Sequence, residues 1–310
     1  MKTIVLLIAL FFTVTSFSQP LSFPDSCNTI MWGVVNSKGD TSYLLGTCHI
    51  FGNTFVDGYA PINSKYRQAD VVVVESIDNN FLAQKNNWFK KLPAKDHRLI
   101  KNYLQHPTPL FHLTACTKMP PSWFYYLLLL EMASRECHTY NENDVCDMDQ
   151  YIMNGAITFN KKLCGLEQRD DSFNNALFSH AGVRNDEDAI AKIKDFVVNN
   201  NLYKDTVHNW CELNEMNNYR NLTINYKFSK SSIEEDSSSM ITLDQRNDRW
   251  MPGVKAIIDS SKAFIAVGLG HLYYKKGLIV QLANSGYTLF PVAMHNTGPV
   301  TYANKKKRRS

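Results

Sequence analysis

Tyr43-Leu44-Leu45-Gly46-Thr47-Cys48-His49 and Ala263-Phe264-Ile265-Ala266-Val267-Gly268-Leu269-Gly270-His271 follow one plan: a short apolar run, a glycine, two residues and a histidine. Runs this short, uninterrupted and rich in aromatic and branched side chains read as buried strands. Each histidine then stands just beyond the C-terminal end of its strand. A third run, Val71-Val72-Val73-Val74, is followed by Glu75, a carboxylate at an edge where burial is costly unless the charge is paired or bound to a metal. One histidine after a strand is most simply an ordinary hydrogen-bonded residue. The duplicated context together with Glu75 favours a shared site, and two imidazoles with one carboxylate are a metal-ligand set.

The context after the histidines repeats as well. Past His49 come Phe51-Gly52, a helix ending near Ala69 and the strand 71–74; past His271 come Gly277, a helix over 278–284, the C-cap signal Gly286 and a strand over 287–292. The fold class expected is α/β, with a central mixed β-sheet built from two pseudo-repeated strand–GxxH–helix–strand units and a helical cap inserted between them. The middle of the chain, about 80–260, reads as that cap. Pro120-Pro121-Ser122 opens a helix through Glu136, and Asp144 is placed to cap one running through Met148 and Ile152 to Gly155. Asp186-Glu187-Asp188 sets acid at the start of a helix through Val198, where the dipole favours it, and further helices are expected over 203–226 and 245–259. The serine-rich, acidic stretch 229–239 has no apolar period and reads as a loop.

Residues 1–18 read as a signal peptide: Lys2 is the charged start, 4–12 the apolar core, and Ser16-Phe17-Ser18 supplies the small residues that precede cleavage. Export to a periplasmic or extracellular compartment follows as the expectation, with residues 19–304 forming one domain and 305–310 a basic tail. No other apolar run is long enough to span a bilayer. The formal net charge of +4 is concentrated in that tail, where Lys305, Lys306, Lys307, Arg308 and Arg309 cluster. The remainder is slightly acidic, which excludes a nucleic-acid-binding face built into the fold. Seven cysteines in an oxidising compartment can pair, and an odd number leaves at least one free. Cys48, at a strand end and turned away from the face of His49 by alternation, is the candidate for packing rather than ligation. Cys137 and Cys146 bracket a short polar loop suited to a disulfide, with two separate partners as the alternative.

Several segments resemble the TraB/PrgY/GumN family, which includes the Tiki proteins and is distantly similar to erythromycin-esterase and ChaN-like proteins. They are Ile30-Met31-Trp32-Gly33 through His49, Ala69-Asp70 through Glu75, Asp147-Met148-Asp149-Gln150-Tyr151-Ile152, Lys162-Leu163-Cys164-Gly165-Leu166-Glu167, Gln245-Arg246-Asn247-Asp248-Arg249-Trp250-Met251, and Gly268–His271 with Gly277-Leu278. The resemblance lies in their order and spacing, and implies metal-dependent hydrolysis of a peptide or protein substrate. His49, His271 and Glu75 would be the metal and catalytic residues, and Gly46 and Gly268 the motif glycines. Co²⁺ or Mn²⁺ is the ion the resemblance favours, and histidine-plus-carboxylate ligation also suits Zn²⁺. Glu75 has two roles open to it, third ligand or general base. A peptide-sequestering protein without catalysis, like the pheromone inhibitors of the family, is the alternative, followed by a metal-independent esterase.

Three further features stay open at this level. Glu167 follows a strand-like run and reads either as a second carboxylate near the site or as a partner of Arg169. Arg246 and Asn247 either orient Glu75, hold a substrate carbonyl or carboxylate, or lie on a solvated helix face. His106 and His112 flank Pro107-Thr108-Pro109, a loop that lacks the rigid support a metal site requires.

Overall fold

The computed structural model describes residues 23–77, 86–105, 117–167, 182–199, 203–204, 211, 216–231 and 240–295. The signal-peptide and tail assignments lie outside these residues. So do His106, His112, Cys116, Arg169 and most of the serine-rich stretch.

The strands are β1 Ser26–Cys27, β2 Met31–Val35, β3 Thr41–Thr47, β4 Val71–Val74, β5 Lys162–Gly165, β6 Ile224–Asn225, β7 Ala263–Gly268 and β8 Thr288–Pro291. β1 and β6 form a small antiparallel pair; the other six form one mixed sheet in the order β5-β4-β7-β3-β2-β8. β5, β4, β7 and β3 run parallel, whereas β2 is antiparallel to both β3 and β8. β4 is buried throughout and β7 nearly so, which explains why they read as unbroken apolar runs rather than alternating ones. The strands that carry the two histidine motifs, β3 and β7, are neighbours.

The helices are α1 Asn53–Asp57, α2 Ala60–Gln68, α3 Trp88–Lys91, α4 Ala94–Tyr103, α5 Pro121–Glu136, α6 Met148–Thr158, α7 Asp186–Val198, α8 Met216–Arg220, α9 Met240–Ser260 and α10 Leu278–Asn284. Those around the sheet share its core, and a second apolar cluster, centred on Trp88, Phe124, Leu128, Ile193 and Phe196, joins α3, α4, α5 and α7. Within that cluster the fully buried Glu131 is matched by Arg135 one turn on. Among the described residues no helix is long and apolar enough to cross a membrane.

Three local expectations are corrected. Asp147, not Asp144, caps α6, accepting from the Gln150 N–H at 2.9 Å. Asp144 is instead buried beside α1, where its carboxylate accepts from the N–H groups of Thr54 and Asn141, both at 2.7 Å. The helix expected to reach Tyr226 stops at Arg220: Leu222 takes a left-handed φ of 57°, Thr223 N–H bonds back to Asn218 O at 2.8 Å, and the chain leaves to pair β6 with β1. Finally, Cys137 is bridged to Cys211, with Cα atoms 5.3 Å apart, and not to Cys146. Cys146 is held instead at the start of α1, its carbonyl accepting from the Asn53 N–H at 3.0 Å and its own N–H donating to Asn53 Oδ1 at 3.4 Å. Cys27, Cys146 and Cys164 are free thiols.

Candidate functional site

Parallel strands present their carboxyl ends along one edge, the usual place for a site in an open α/β sheet. In register, Thr47 lies opposite Gly268 and Val74 opposite Ala266. His49, Glu75 and His271 therefore leave the sheet at nearly the same level, on three adjacent strands. They close around Gly268. A Cβ placed on that glycine would lie 3.0 Å from Glu75 Oε1, 3.8 Å from His49 Nε2 and 3.9 Å from His271 Cδ2. Any larger residue would crowd the carboxylate. Gly46 serves close approach in the same way, since a Cβ there would meet Leu269 Cδ1 at 2.5 Å; each motif glycine makes room for the other motif's surroundings.

Each imidazole is anchored through one nitrogen. His49 Nδ1 is 2.8 Å from Asp149 Oδ2, and the other oxygen of Asp149 accepts from the Thr47 hydroxyl at 2.7 Å. Asp149 sits in the first turn of α6, where the helix dipole stabilises its charge. His271 Nδ1 is 2.7 Å from Asn247 Oδ1, while the Asn247 amide nitrogen donates to the carbonyls of His271 and Lys276. That fixes the amide's orientation, so its oxygen must accept and His271 must donate from Nδ1. Nε2 of His271 is left as a lone-pair nitrogen, 3.6 Å from Glu75 Oε1. His49 is likewise held at Nδ1, by Asp149, with Nε2 turned toward Gly268.

Glu75 is held at both oxygens: Oε1 accepts from the Gly268 N–H at 2.7 Å and Oε2 from Arg246 Nη2 at 2.6 Å. Arg246 also reaches Glu167 through Nε and Nη2, at 2.8–3.2 Å. Glu167 is tied in turn to the Glu75 carbonyl through its own N–H at 2.9 Å. A second axis runs from the Arg246 guanidinium, 4.7 Å from the Trp250 ring centre, to the His271 ring 4.2 Å beyond. Arg246 and Asn247 thus face inward. The apolar stripe Trp250, Val254 and Ile258 continues α9's buried face back onto them.

The electrostatics follow from these contacts. Burial by itself would raise the Glu75 carboxyl; the adjacent His271, the positive charges of Arg246 and His49 and the Gly268 N–H outweigh it and hold the group well below the usual carboxylate range. The carboxylate of Asp149 pushes His49 up to about 10 against the opposing effect of burial. Burial takes His271 the other way, to about 3, so its ring is neutral. Asp147, partly buried and beside Asp149, is raised to about 6. The His49 side chain keeps 45% of its surface exposed whereas that of His271 keeps 2%, which makes His49 the open side of the site.

Two imidazoles with fixed Nδ1 partners and outward Nε2 atoms, beside an ionised carboxylate, fit a divalent cation in the chemistry of their donors, because metal-binding histidines are oriented by such partners. Among the described residues no three His, Cys, Asp or Glu side chains are drawn together as a ready-made ion cage. Glu75 is held by Arg246 and Gly268 rather than drawn onto the histidines.

Residues 30–291 match the TraB/PrgY/gumN family. The chain belongs to the TraB/PrgY/gumN family. No curated protein and no solved structure matches it. Every site residue named from the sequence of this TraB/PrgY/gumN protein lies on one edge of the sheet: His49, Glu75, His271, Glu167, Arg246, Asn247 and the two glycines. Glu167 pairs with Arg246. Cys48 packs against Met216, with its sulfur 3.8 Å from the thioether. Sequence reasoning did not single out Asp149, Thr47 or Trp250. Asp149 was visible as an acid in the first turn of a helix, but nothing local to it said that His49, 100 residues earlier, would be its partner.

Proposed function

We propose that this protein is an exported, metal-dependent hydrolase of peptide bonds, with His49 and His271 holding the ion through Nε2 and Glu75 as the nearby carboxylate. The observation that carries the reading is the convergence of His49 Nε2 and Glu75 Oε1, with the His271 ring, around Gly268, each imidazole anchored by its other nitrogen. A divalent ion bound there would supply a Lewis acid to polarise the scissile carbonyl. Asn247 holds the neutral His271 ring with Nε2 free, and Asp149 holds His49 through Nδ1 so that Nε2 can bind the ion once it gives up its proton. Arg246 keeps Glu75 ionised and aimed, and the exposed flank of His49 gives substrate its approach. Peptide as substrate, and Co²⁺ or Mn²⁺ over Zn²⁺, rest on family resemblance; export rests on the leader at 1–18, which predicts a mature chain starting at Gln19.

The test incubates the purified mature protein with a peptide library in the presence of Co²⁺, Mn²⁺, Zn²⁺ or chelator, with products read by mass spectrometry. Fragments that appear only with metal support the proposal. Peptides that stay intact under every condition, or are retained uncut whether or not chelator is present, overturn it in favour of sequestration.

A further inference from the structure

A cavity of about 210 Å³ lies between α2 and the second half of α6, and His49, Glu75 and His271 line no part of it. Its walls are mainly apolar, formed by Val56, Ile62, Tyr66, Ile152 and Phe159. The Tyr66 hydroxyl is already satisfied, donating to Ile152 O at 2.9 Å, so the ring offers the cavity a hydrocarbon surface. For scale, an engineered apolar cavity of ~150 Å³ takes up benzene, and this one therefore has room for a ring or a short branched chain. One charged group lines it. Arg67 lies over the Phe159 ring at 5.5 Å, and among the described residues no carboxylate pairs with its guanidinium. Arg67 is exposed at the mouth of the cavity and Phe159 is half exposed; stacking on the aromatic face leaves the guanidinium N–H edge available, the edge that suits bidentate recognition of a carboxylate.

We propose that this cavity binds a small monocarboxylate with a ring-sized apolar body, the body lodged against Tyr66 and Ile62 and the carboxylate paired with Arg67. The site is separate from the proposed catalytic groups, and its occupancy does not depend on a metal.

The probe is 3-phenylpropionate, with 3-phenylpropanamide as its uncharged counterpart, titrated into the full mature chain and followed by ligand-observed NMR. Saturable one-to-one binding of the acid is expected with a Kd of about millimolar, the range a fragment of this size reaches; the amide should bind about tenfold more weakly for want of the charged pair. Arg67→Gln should bring the acid down to the level of the amide and leave the amide unchanged, which serves as the internal check that the cavity is intact. Thr158→Trp, at an exposed position on the rim, should remove binding of both while circular dichroism and the melting temperature stay the same. Absence of saturable binding to the native chain, equal affinity for acid and amide, or full acid affinity in either folded variant would overturn the assignment.

Discussion

His49 and His271 each commit Nδ1 to an anchor, and the anchors differ in kind: an ionised carboxylate for the exposed ring, a neutral amide for the buried one. The difference follows from burial, because a charge beside the fully enclosed His271 would need its own partner, whereas Asp149 has the Thr47 hydroxyl, the α6 dipole and solvent. Asp149→Asn keeps the size and one carbonyl oxygen but loses the negative charge, and with that oxygen on His49 its amide can only donate to the Thr47 hydroxyl where the carboxylate accepted from it. Peptide turnover should fall about 10–100-fold, the usual effect of losing a partner that orients a metal-binding imidazole, with circular dichroism unchanged. Glu75→Gln addresses the carboxylate's own role. A Glu75 acting chiefly as base would leave metal content normal while turnover drops about 10²–10⁴-fold; a ligand would lose ion and activity together. The hydrogen bonds to both oxygens lower the basicity of the carboxylate, so the second outcome is expected, and metal analysis alongside turnover checks it.

At the scale of elements, Arg246 joins three of them, tying α9 to the ends of β4 and β5 through Glu75 and Glu167, and all three side chains are largely removed from solvent. Arg246→Gln would leave two carboxylates facing each other without a cation, and chemical denaturation should show a loss of about 3–5 kcal/mol. Arg246→Lys should recover only part, since an ammonium cannot serve both carboxylates with a planar fork. The disulfide joins α5 to the segment before α8, whose Tyr219 hydroxyl donates to Gly46 O at 2.8 Å beneath the first histidine motif. Peptide mapping should recover Cys137 linked to Cys211. Cys146, whose thiol burial pushes up to about 12, should resist iodoacetamide at neutral pH until the chain is denatured. Replacing both bridged cysteines by serine should cost about 4 kcal/mol by the loop-entropy relation for a separation of 74 residues. The strands and their polar ends were legible in the sequence because burial on both faces leaves an unbroken apolar run, and one ionisable residue after it stands out. Helix bounds at α10 and α7 were legible for the same local reasons of capping and period. What lay beyond reach depended on distant pairing: the partner of Cys137, the strand that ends α8, and the acceptor on His49.

Across the whole molecule, the sheet order places the two histidine strands side by side although more than two hundred residues separate them in the chain, so the two imidazoles come together only in the folded protein. An ion bound by both then stabilises the native state alone, since the unfolded chain holds the histidines at no fixed distance. By mass action, an ion at a hundred times its Kd adds about 2.7 kcal/mol to the unfolding free energy. Adding Co²⁺, Mn²⁺ or Zn²⁺ to chelator-stripped protein should therefore raise the melting temperature in a concentration-dependent way, by a few degrees for a chain of this size. His49→Ala and His271→Ala should each lose most of that rise, because either variant leaves a single imidazole. The stripped variants should differ in baseline: His271→Ala empties a buried position against Trp250 and lowers the starting melting temperature, whereas His49→Ala removes a ring that is nearly half exposed and changes it less. A rise that survives in both variants would place the ion elsewhere in the protein and end the metal assignment at this edge of the sheet.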